Sequence, residues 1–334
     1  MNAVAVVILN YNGRNYLEQF LPALVKFSEG TNIVVADNAS TDDSVDWMKA
    51  HYPGIDLVIL DQNYGFAGGY NEALKQIDAD YYILINSDVE VTSHWWQPLV
   101  KYLDENPTYA ACQPKINAYH NKDQFEYAGA CGGFIDSLGY PYCRGRIFDV
   151  LEIDHGQYDQ TIDIFWATGA CMIIRAELFH EYGGFDPDFF AHMEEVDLCW
   201  RLKNAQWSIA CIPESKVYHV GGGTLDKSNP RKTYLNFRNS LAVITKNLPG
   251  YTLWWKLPLR IALDLLAAVV FWKTNSYEHF NAVLTAIVDF LKNFGKHFAK
   301  RRTLNSWRVT TARTSRVAVI FDFFIRKKKK FADL

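Results

Sequence analysis

Four short runs of aliphatic and β-branched residues alternate with helical segments over the first 90 positions, and each run ends in Asn, Asp or a polar turn. Residues 4–9 lead into Asn10-Tyr11-Asn12-Gly13, residues 33–36 into Asp37-Asn38-Ala39, residues 57–60 into a turn ending Asn63-Tyr64-Gly65-Phe66, and residues 81–85 into Asn86-Ser87-Asp88-Val89-Glu90. An apolar run with no polar alternation reads as a strand buried on both faces, which is what a parallel sheet contains. The intervening stretches 15–27 and 67–77 carry helical spacing, and Ser40-Thr41-Asp42-Asp43 reads as a helix start. Strand–helix alternation of this kind predicts βαβ units, a mostly parallel sheet and helices on both faces.

From 114 to 163 the pattern loosens into turn formers. It then tightens again, with a strand over 171–174, a helix from Ala176, the turn Gly183-Gly184-Phe185-Asp186, a helix over 194–204 and a strand ending near Pro213. Past Pro249 the chain becomes aromatic and basic. Residues 251–334 hold 16 Lys and Arg against 5 Asp and Glu, a net of +11, so the overall charge of −3 leaves −14 on the first 250 residues. Two regions follow from that contrast: an α/β body over 1–245 and a helical extension over 246–334. The composition, 49% hydrophobic and 21% charged, excludes a disordered or repeat-dominated chain.

Six cysteines show no C-x-x-C pair and sit in apolar contexts, which predicts buried free thiols. Residues 1–4 lack the basic region of a signal peptide, and the longest apolar stretch, near 265–272, is about half of what a bilayer span needs. A cytoplasmic chain is expected. With an acidic body and no RNA-binding signature, nucleic acid is not an expected partner. A dinucleotide oxidoreductase is disfavoured as well, because no G-x-G-x-x-G follows the first strand.

In open α/β sheets ligands bind beyond the carboxyl ends of the strands. Polar side chains recur at all four ends here. In order, these segments resemble glycosyltransferase family 2, the inverting nucleotide-sugar transferases of the GT-A fold, and most of all its rhamnosyltransferase-like bacterial members. The resemblance covers roughly residues 4–240. It implies that Asn10, Asn12 and Asp37 meet the nucleoside, and that the turn from Asn63 through Gly65 to Asn71 closes over the nucleotide. Asn86-Ser87-Asp88 stands where the family carries an acidic metal motif, with Asn in place of the first acid. The resemblance implies a Mg²⁺ or Mn²⁺ ion, for which Asp88 is the candidate ligand, and a hard cation of this kind takes carboxylate and phosphate oxygens. If the strand continued, 86, 88 and 90 would share a face. The substitution at Asn86 also keeps open a non-catalytic nucleotide-sugar-binding protein with a degenerate metal site.

A second acidic constellation opens the 194–204 helix, Ala191-His192-Met193-Glu194-Glu195-Val196-Asp197. Acids in a first turn can simply compensate the helix dipole. By the resemblance, Glu194-Glu195 matches the family's acidic pair, whose second member, Glu195, deprotonates the acceptor hydroxyl. Asp197 reads as structural, paired to Arg201 one turn on. Gly169 and Ala170 match a small-residue segment beside the donor, and Trp166 and His192 are candidates for the acceptor side. His219 precedes Gly221-Gly222-Gly223, whose backbone N–H groups can form an anion nest, and relatives place this His on the metal or the diphosphate. Arg238 matches a segment that can reach the diphosphate.

The resemblance thus implies a dTDP-, UDP- or GDP-linked donor, a glycan or lipid-linked glycan acceptor, and a role in cell-surface polysaccharide synthesis. The extension adds a further expectation. Trp254-Trp255, a stripe of Phe280, Val283, Leu284, Ile287, Leu291, Phe294 and Phe298, and lysines at 292, 296 and 300 on the other side suit an anionic membrane surface. That predicts peripheral association with the inner face of the plasma membrane.

Overall fold

The computed structural model describes residues 2–221, 228–307, 312 and 314–334, with 305–307 as backbone alone. Val4–Asn10 (β1), Asn32–Asp37 (β2), Asp56–Ile59 (β3) and Tyr81–Asn86 (β4) are parallel neighbours in the order β4-β1-β2-β3. Arg14–Phe27 (α1), Ser44–His51 (α2) and Gly65–Leu74 (α3) connect them. Both faces of β1 are buried: Ala5 and Val7 enter one apolar cluster, and Val4, Val6 and Ile8 the other. Register then sets the strand ends, placing Asn10 opposite Asp37 and Leu9 opposite Asn86.

The sheet has nine strands and is mixed. Val89–Val91 (β5) precedes Gln97–Glu105 (α4), and Tyr109–Ala118 (β6) begins before the loosely patterned stretch and runs into it. That stretch also forms a small separate antiparallel sheet of Gly133–Ile135 (β7), Pro141–Cys143 (β8), Arg146–Ile147 (β9) and Val150–Leu151 (β10). Ile162–Asp163 (β11) then precedes Cys171–Arg175 (β12), which lies antiparallel between β4 and β6. A non-helical connection permits this reversal, since only parallel neighbours require a crossover.

After Ala176–Glu181 (α5) and Glu194–Asn204 (α6), Ser208–His219 (β13) runs past Pro213 rather than ending there. The register shifts between Ile212 and Lys216, and such an irregularity is where a strand tolerates proline. His219 therefore sits in a strand, paired to Val89 of β5 and Ala118 of β6.

Pro230–Asn247 (α7), Gly250–Lys273 (α8), Tyr277–Lys292 (α9), Phe294–Trp307 (α10) and Val319–Phe324 (α11) complete the chain. One apolar cluster continues from the sheet into Leu253, Leu257, Val283, Ile287 and Phe290, so the extension shares the core of the body. The expected single stripe is broken at Asn293. Val283, Ile287 and Phe290 face inward, while Leu291 is exposed. Two of the lysines assigned to the membrane point to the protein instead: Lys296 pairs with Asp188 at 2.7 Å and Lys300 with Asp186 at 2.6 Å. Acids just before α6 capture these cations, a pairing invisible to helical periodicity. All six cysteines are free and buried.

Candidate active site

Three loops at the carboxyl edge of the sheet interlock. Asn10 Nδ2 donates to Asp37 Oδ1 (2.9 Å) and Ser40 Oγ (3.1 Å), and the Ser40 N–H donates to Asp37 Oδ2 (2.9 Å). Asn12, at φ 52°, accepts the Thr41 N–H on its Oδ1 (2.7 Å). Asn38 reaches Asn63 Oδ1 and the Gly65 carbonyl, both at 3.0 Å. Gly65 has φ +71°, and a Cβ there would lie 2.6 Å from the Phe190 ring and carbonyl, so only glycine fits. Of the buried Asn10 side chain, Oδ1 has no hydrogen-bond partner. The edge is pre-arranged and keeps an acceptor in hand.

β4 ends at Asn86, and Ser87-Asp88 form a turn before β5, so the run of 86, 88 and 90 on one face does not occur. Glu90 pairs with Lys122. Asp88 and Asn86 instead meet His219: Nε2 lies 3.1 Å from Asp88 Oδ1 and 3.5 Å from Asn86 Nδ2. On the opposite edge of the ring, Nδ1 lies 3.3 Å from Glu126 Oε2, close enough to pair but off the hydrogen-bonding direction. Burial alone would hold the imidazole neutral, but carboxylates on both sides outweigh it and push His219 up to about 10. Asp88 and Glu126 are correspondingly lowered: burial opposes their ionisation, and the His219 charge overcomes it. Gly221, at φ +74°, would place a Cβ 2.7 Å from Glu126 Oε1, so glycine is what allows the carboxylate to reach the ring. Gly222 and Gly223 lie outside the described residues. Glu126 carried no sequence signal, because it sits in the loosely patterned stretch and meets His219 only through the sheet.

Among the described residues no three His, Cys, Asp or Glu side chains form a metal cage. Asp88 suits a divalent ion that takes its remaining ligands from a diphosphate, and His219 Nε2 would join it by giving up the proton it shares with Asp88.

The second centre is the segment before α6. Phe190, His192 and Met193 have φ of 64°, 69° and 74°, a backbone conformation that costs about 1–3 kcal/mol per residue. It is held from α7. Asn239 Nδ2 lies 3.0, 2.9 and 2.7 Å from the carbonyls of Phe189, Ala191 and His192. Arg238 donates to the carbonyls of Asp188 (3.1 Å) and Phe189 (3.0 Å) and to Asn239 Oδ1 (2.9 Å), so its guanidinium is committed to the loop rather than to a diphosphate. The Phe190 carbonyl in turn accepts the N–H groups that open α3.

This loop delivers Glu194 and Glu195 into a dry environment. Burial, together with the neighbouring Glu195 charge, raises Glu194 well above the usual carboxylate range, and burial lifts Glu195 to about 7. Burial likewise lowers His192 to about 4, leaving it neutral. Glu194 Oε2, Glu195 Oε2 and His192 Nε2 have no hydrogen-bond partner among the described residues. Three orphaned polar atoms within four residues are costly unless a ligand engages them. Asp197 is structural, bound by Arg201 (3.0 Å), Lys246 (2.8 Å) and Asn247 (2.8 Å).

The two centres are tied through residues 167–170. Ala170 accepts the Asn86 N–H at 3.0 Å, and the Ala167 N–H lies 3.5 Å from Cys199 Sγ on α6. A Cβ on Gly169 would lie 3.2 Å from the Phe66 ring, consistent with a tight approach at that point. Trp166, a candidate for stacking on a sugar, is buried against Gly133 with Nε1 bound to the Phe134 carbonyl (2.9 Å). It is a core residue, because packing has consumed both its face and its donor.

Residues 5–183 match the family model described as Glycosyl transferase family 2. The chain belongs to glycosyltransferase family 2. Among curated relatives of this glycosyltransferase, the N-acetylglucosaminyl-diphospho-decaprenol L-rhamnosyltransferase of Mycobacterium tuberculosis is 25% identical over 78% of this chain and 89% of its own. The rhamnosyltransferase WbbL of Escherichia coli is 24% identical over 65% and 83%. Two solved structures share the fold. The mannosyltransferase PcManGT of Pyrobaculum calidifontis, in complex with GDP-Man and Mn²⁺, superposes with a TM-score of 0.52 at 14% identity, covering 92% of this chain and 86% of that one. GalNAc-T7 with UDP, GalNAc and Mn²⁺ gives 0.58 at 16% identity over 75% of this chain, which spans 49% of that protein. The fold is thus GT-A, followed by C-terminal helices.

Proposed function

We propose that this glycosyltransferase is an inverting enzyme that moves a sugar, on the rhamnosyl or hexosyl pattern of its relatives, from a dTDP-, UDP- or GDP-linked donor to a hydroxyl of a lipid-linked glycan. It would work at the inner face of the plasma membrane in bacterial cell-surface polysaccharide synthesis. The observation that carries the reading is the Glu195 carboxylate, whose Oε2 is buried without a hydrogen-bond partner among the described residues and which burial lifts to about 7 beside the raised Glu194. A carboxylate with its affinity set near neutrality suits proton abstraction from a hydroxyl.

In this reading the Glu195 carboxylate takes the acceptor proton as the acceptor oxygen attacks the anomeric carbon. The bond from that carbon to the departing phosphate oxygen breaks on the opposite face, which inverts the centre. Asn10, Asn12, Asp37, Asn63 and Gly65 frame the nucleoside, while Gly169 and Ala170 let the backbone approach the sugar. His192 stays neutral and offers Nε2 to the acceptor. Asp88 and His219 would hold Mg²⁺ or Mn²⁺, which when bound neutralises charge on the leaving diphosphate. Arg238 braces the loop that presents Glu194 and Glu195. Residues 1–245 carry the chemistry, and residues 246–334 the membrane-facing surface.

The decisive experiment is a radiolabelled donor screen against a polyprenyl-diphosphate-linked sugar, with the product's anomeric configuration read by NMR. Retention of configuration, or no transfer from any donor that binds, overturns the reading. The second outcome would favour a non-catalytic nucleotide-sugar-binding protein, the alternative raised by Asn86.

A further inference from the structure

A helix on a protein surface normally turns its charges outward and its apolar stripe inward. α8 buries its charged pair along with Leu253 and Leu257 and leaves most of its apolar residues outside. Arg260 and Asp264, one turn apart, are both buried, with Nε and Oδ1 3.5 Å apart. The Arg260 guanidinium lies 3.3 Å from the centre of the Tyr140 ring and donates to Ser240 Oγ at 2.7 Å, and the Tyr140 hydroxyl donates to Asp264 at 3.1 Å. Outward, every exposed residue from Tyr251 to Trp272 is apolar or aromatic. Trp254 is 66% exposed, Leu266 59%, Val270 54% and Trp272 53%. Polar anchoring on the inner face fixes which side of the helix looks out, so this is not a helix free to roll its apolar side inward.

We infer that the outer face of α8 is a docking surface for one leaflet of an anionic lipid bilayer, with the helix lying in the plane of the membrane. The inference deepens the proposed function, in which the acceptor is held in a membrane, by naming the surface that meets the lipid. Lipid is favoured over a second copy of the chain on three counts. A protein–protein interface is only about 57% apolar as a whole, whereas none of the exposed residues of this face is charged, and the half-buried Lys256 at its edge lies over the Trp255 ring. Tryptophans stand at both ends, Trp254-Trp255 and Trp272, about 26 Å apart along the helix with aliphatic residues between, and Trp prefers the headgroup level. Cations complement an anionic surface: Lys273 is exposed at the end of α8, and the exposed Phe324 and Ile325 at the end of α11 lead into exposed Lys327, Lys329 and Lys330. No helix among the described residues is long and apolar enough to cross a membrane, and the bonds from Arg260 to Ser240 and from Tyr140 to Asp264 join α8 to the body, so the helix lies flat.

The test uses the full chain and sedimentation with vesicles of phosphatidylcholine, with and without phosphatidylglycerol. Leu266→Glu/Val270→Glu changes only exposed positions, so it should keep the melting temperature and nucleotide binding. It should lose vesicle affinity by about a hundredfold, as expected for removing two inserted aliphatic side chains and adding charge. Brominated lipids should quench wild-type tryptophan emission and spare the double variant. High salt should weaken wild-type binding without abolishing it, because screening spares the apolar contact. Wild-type sedimentation by the double variant overturns the inference. So does a wild-type dimer that the substitutions dissociate while vesicle binding is unchanged, which would assign the face to a second copy. Transfer to a soluble acceptor analogue is read separately: if vesicles bind but no sugar moves, the enzymatic reading fails and the docking surface stands.

Discussion

The Asn239 amide lies 2.7 Å from the carbonyl of His192, joining α7 to the residue before the left-handed Met193 across 47 positions of sequence. With two more carbonyls on the same nitrogen, this one side chain holds the loop that aims Glu194 and Glu195.

Asn239→Ala should therefore lower kcat by about 10- to 100-fold, the scale of a misplaced reacting group, and leave the donor dissociation constant unchanged. Some stability is lost as well, because buried carbonyls left unpaired cost about 1–3 kcal/mol each. Single-turnover kinetics and calorimetry check this. Unaltered kcat with a lowered melting temperature would reduce Asn239 to a structural role.

Glu195→Gln should abolish transfer, with a loss of about 10²–10⁴ in rate, while nucleotide binding persists. In the wild type the acidic limb of kcat/KM should bend near pH 7, where Glu195 loses its proton. Stability runs the opposite way. The folded state binds a proton that the unfolded state has released, so from about pH 4.5 to 7 the native state is progressively penalised as pH rises. Glu195→Gln should thus melt higher than wild type at pH 8 and about equally at pH 4. A variant that keeps more than a tenth of the activity, or equal loss in Glu194→Gln alone, would move or remove the base.

Asp88→Ala and His219→Ala should each weaken nucleoside diphosphate binding in Mn²⁺ and change little in EDTA. Glu126→Gln should do so more mildly, because it leaves the ligands in place and removes the carboxylate that faces the far edge of the ring; outer partners of this kind are worth about 10- to 100-fold in metal affinity. Titration calorimetry in both buffers decides. Equal losses in EDTA would mean that these groups touch the nucleotide or only support the strand ends.

Truncation after Gly250 should give an unfolded or insoluble chain. It would strip Val283, Ile287 and Phe290 from the shared core, at about 1.5–3 kcal/mol for each side chain, and remove Lys300 from Asp186. The charge contrast that divides the sequence into a body over 1–245 and an extension over 246–334 suggests the opposite, a body that stays folded without its basic tail. Circular dichroism of the truncated chain settles the matter, and a cooperative melt near the full-length value would contradict the packing.

What the sequence determined by itself is local in origin. Unbroken apolar runs specify buried parallel strands, and their polar ends put Asn10, Asp37, Asn86 and Asp88 at the carboxyl edge of the sheet, whereas the Glu194-Glu195 pair stood out only through the family resemblance. Asp197 with Arg201 was legible too, because one helical turn sets that spacing. Only the tertiary structure decided what depends on distant partners. Glu126 reaches His219 through neighbouring strands, Asn239 and Arg238 turn to a loop some 50 residues away, and Lys296 and Lys300 are drawn to acids before α6 instead of to lipid. The same holds for α8: its hydropathy marks it as apolar, but which face looks outward is fixed by the buried bond between Arg260 and Ser240, and no pattern within the helix contains that contact. Periodicity reports which residues share a side, whereas the direction of that side is set by the free energy of satisfying buried charge across the fold.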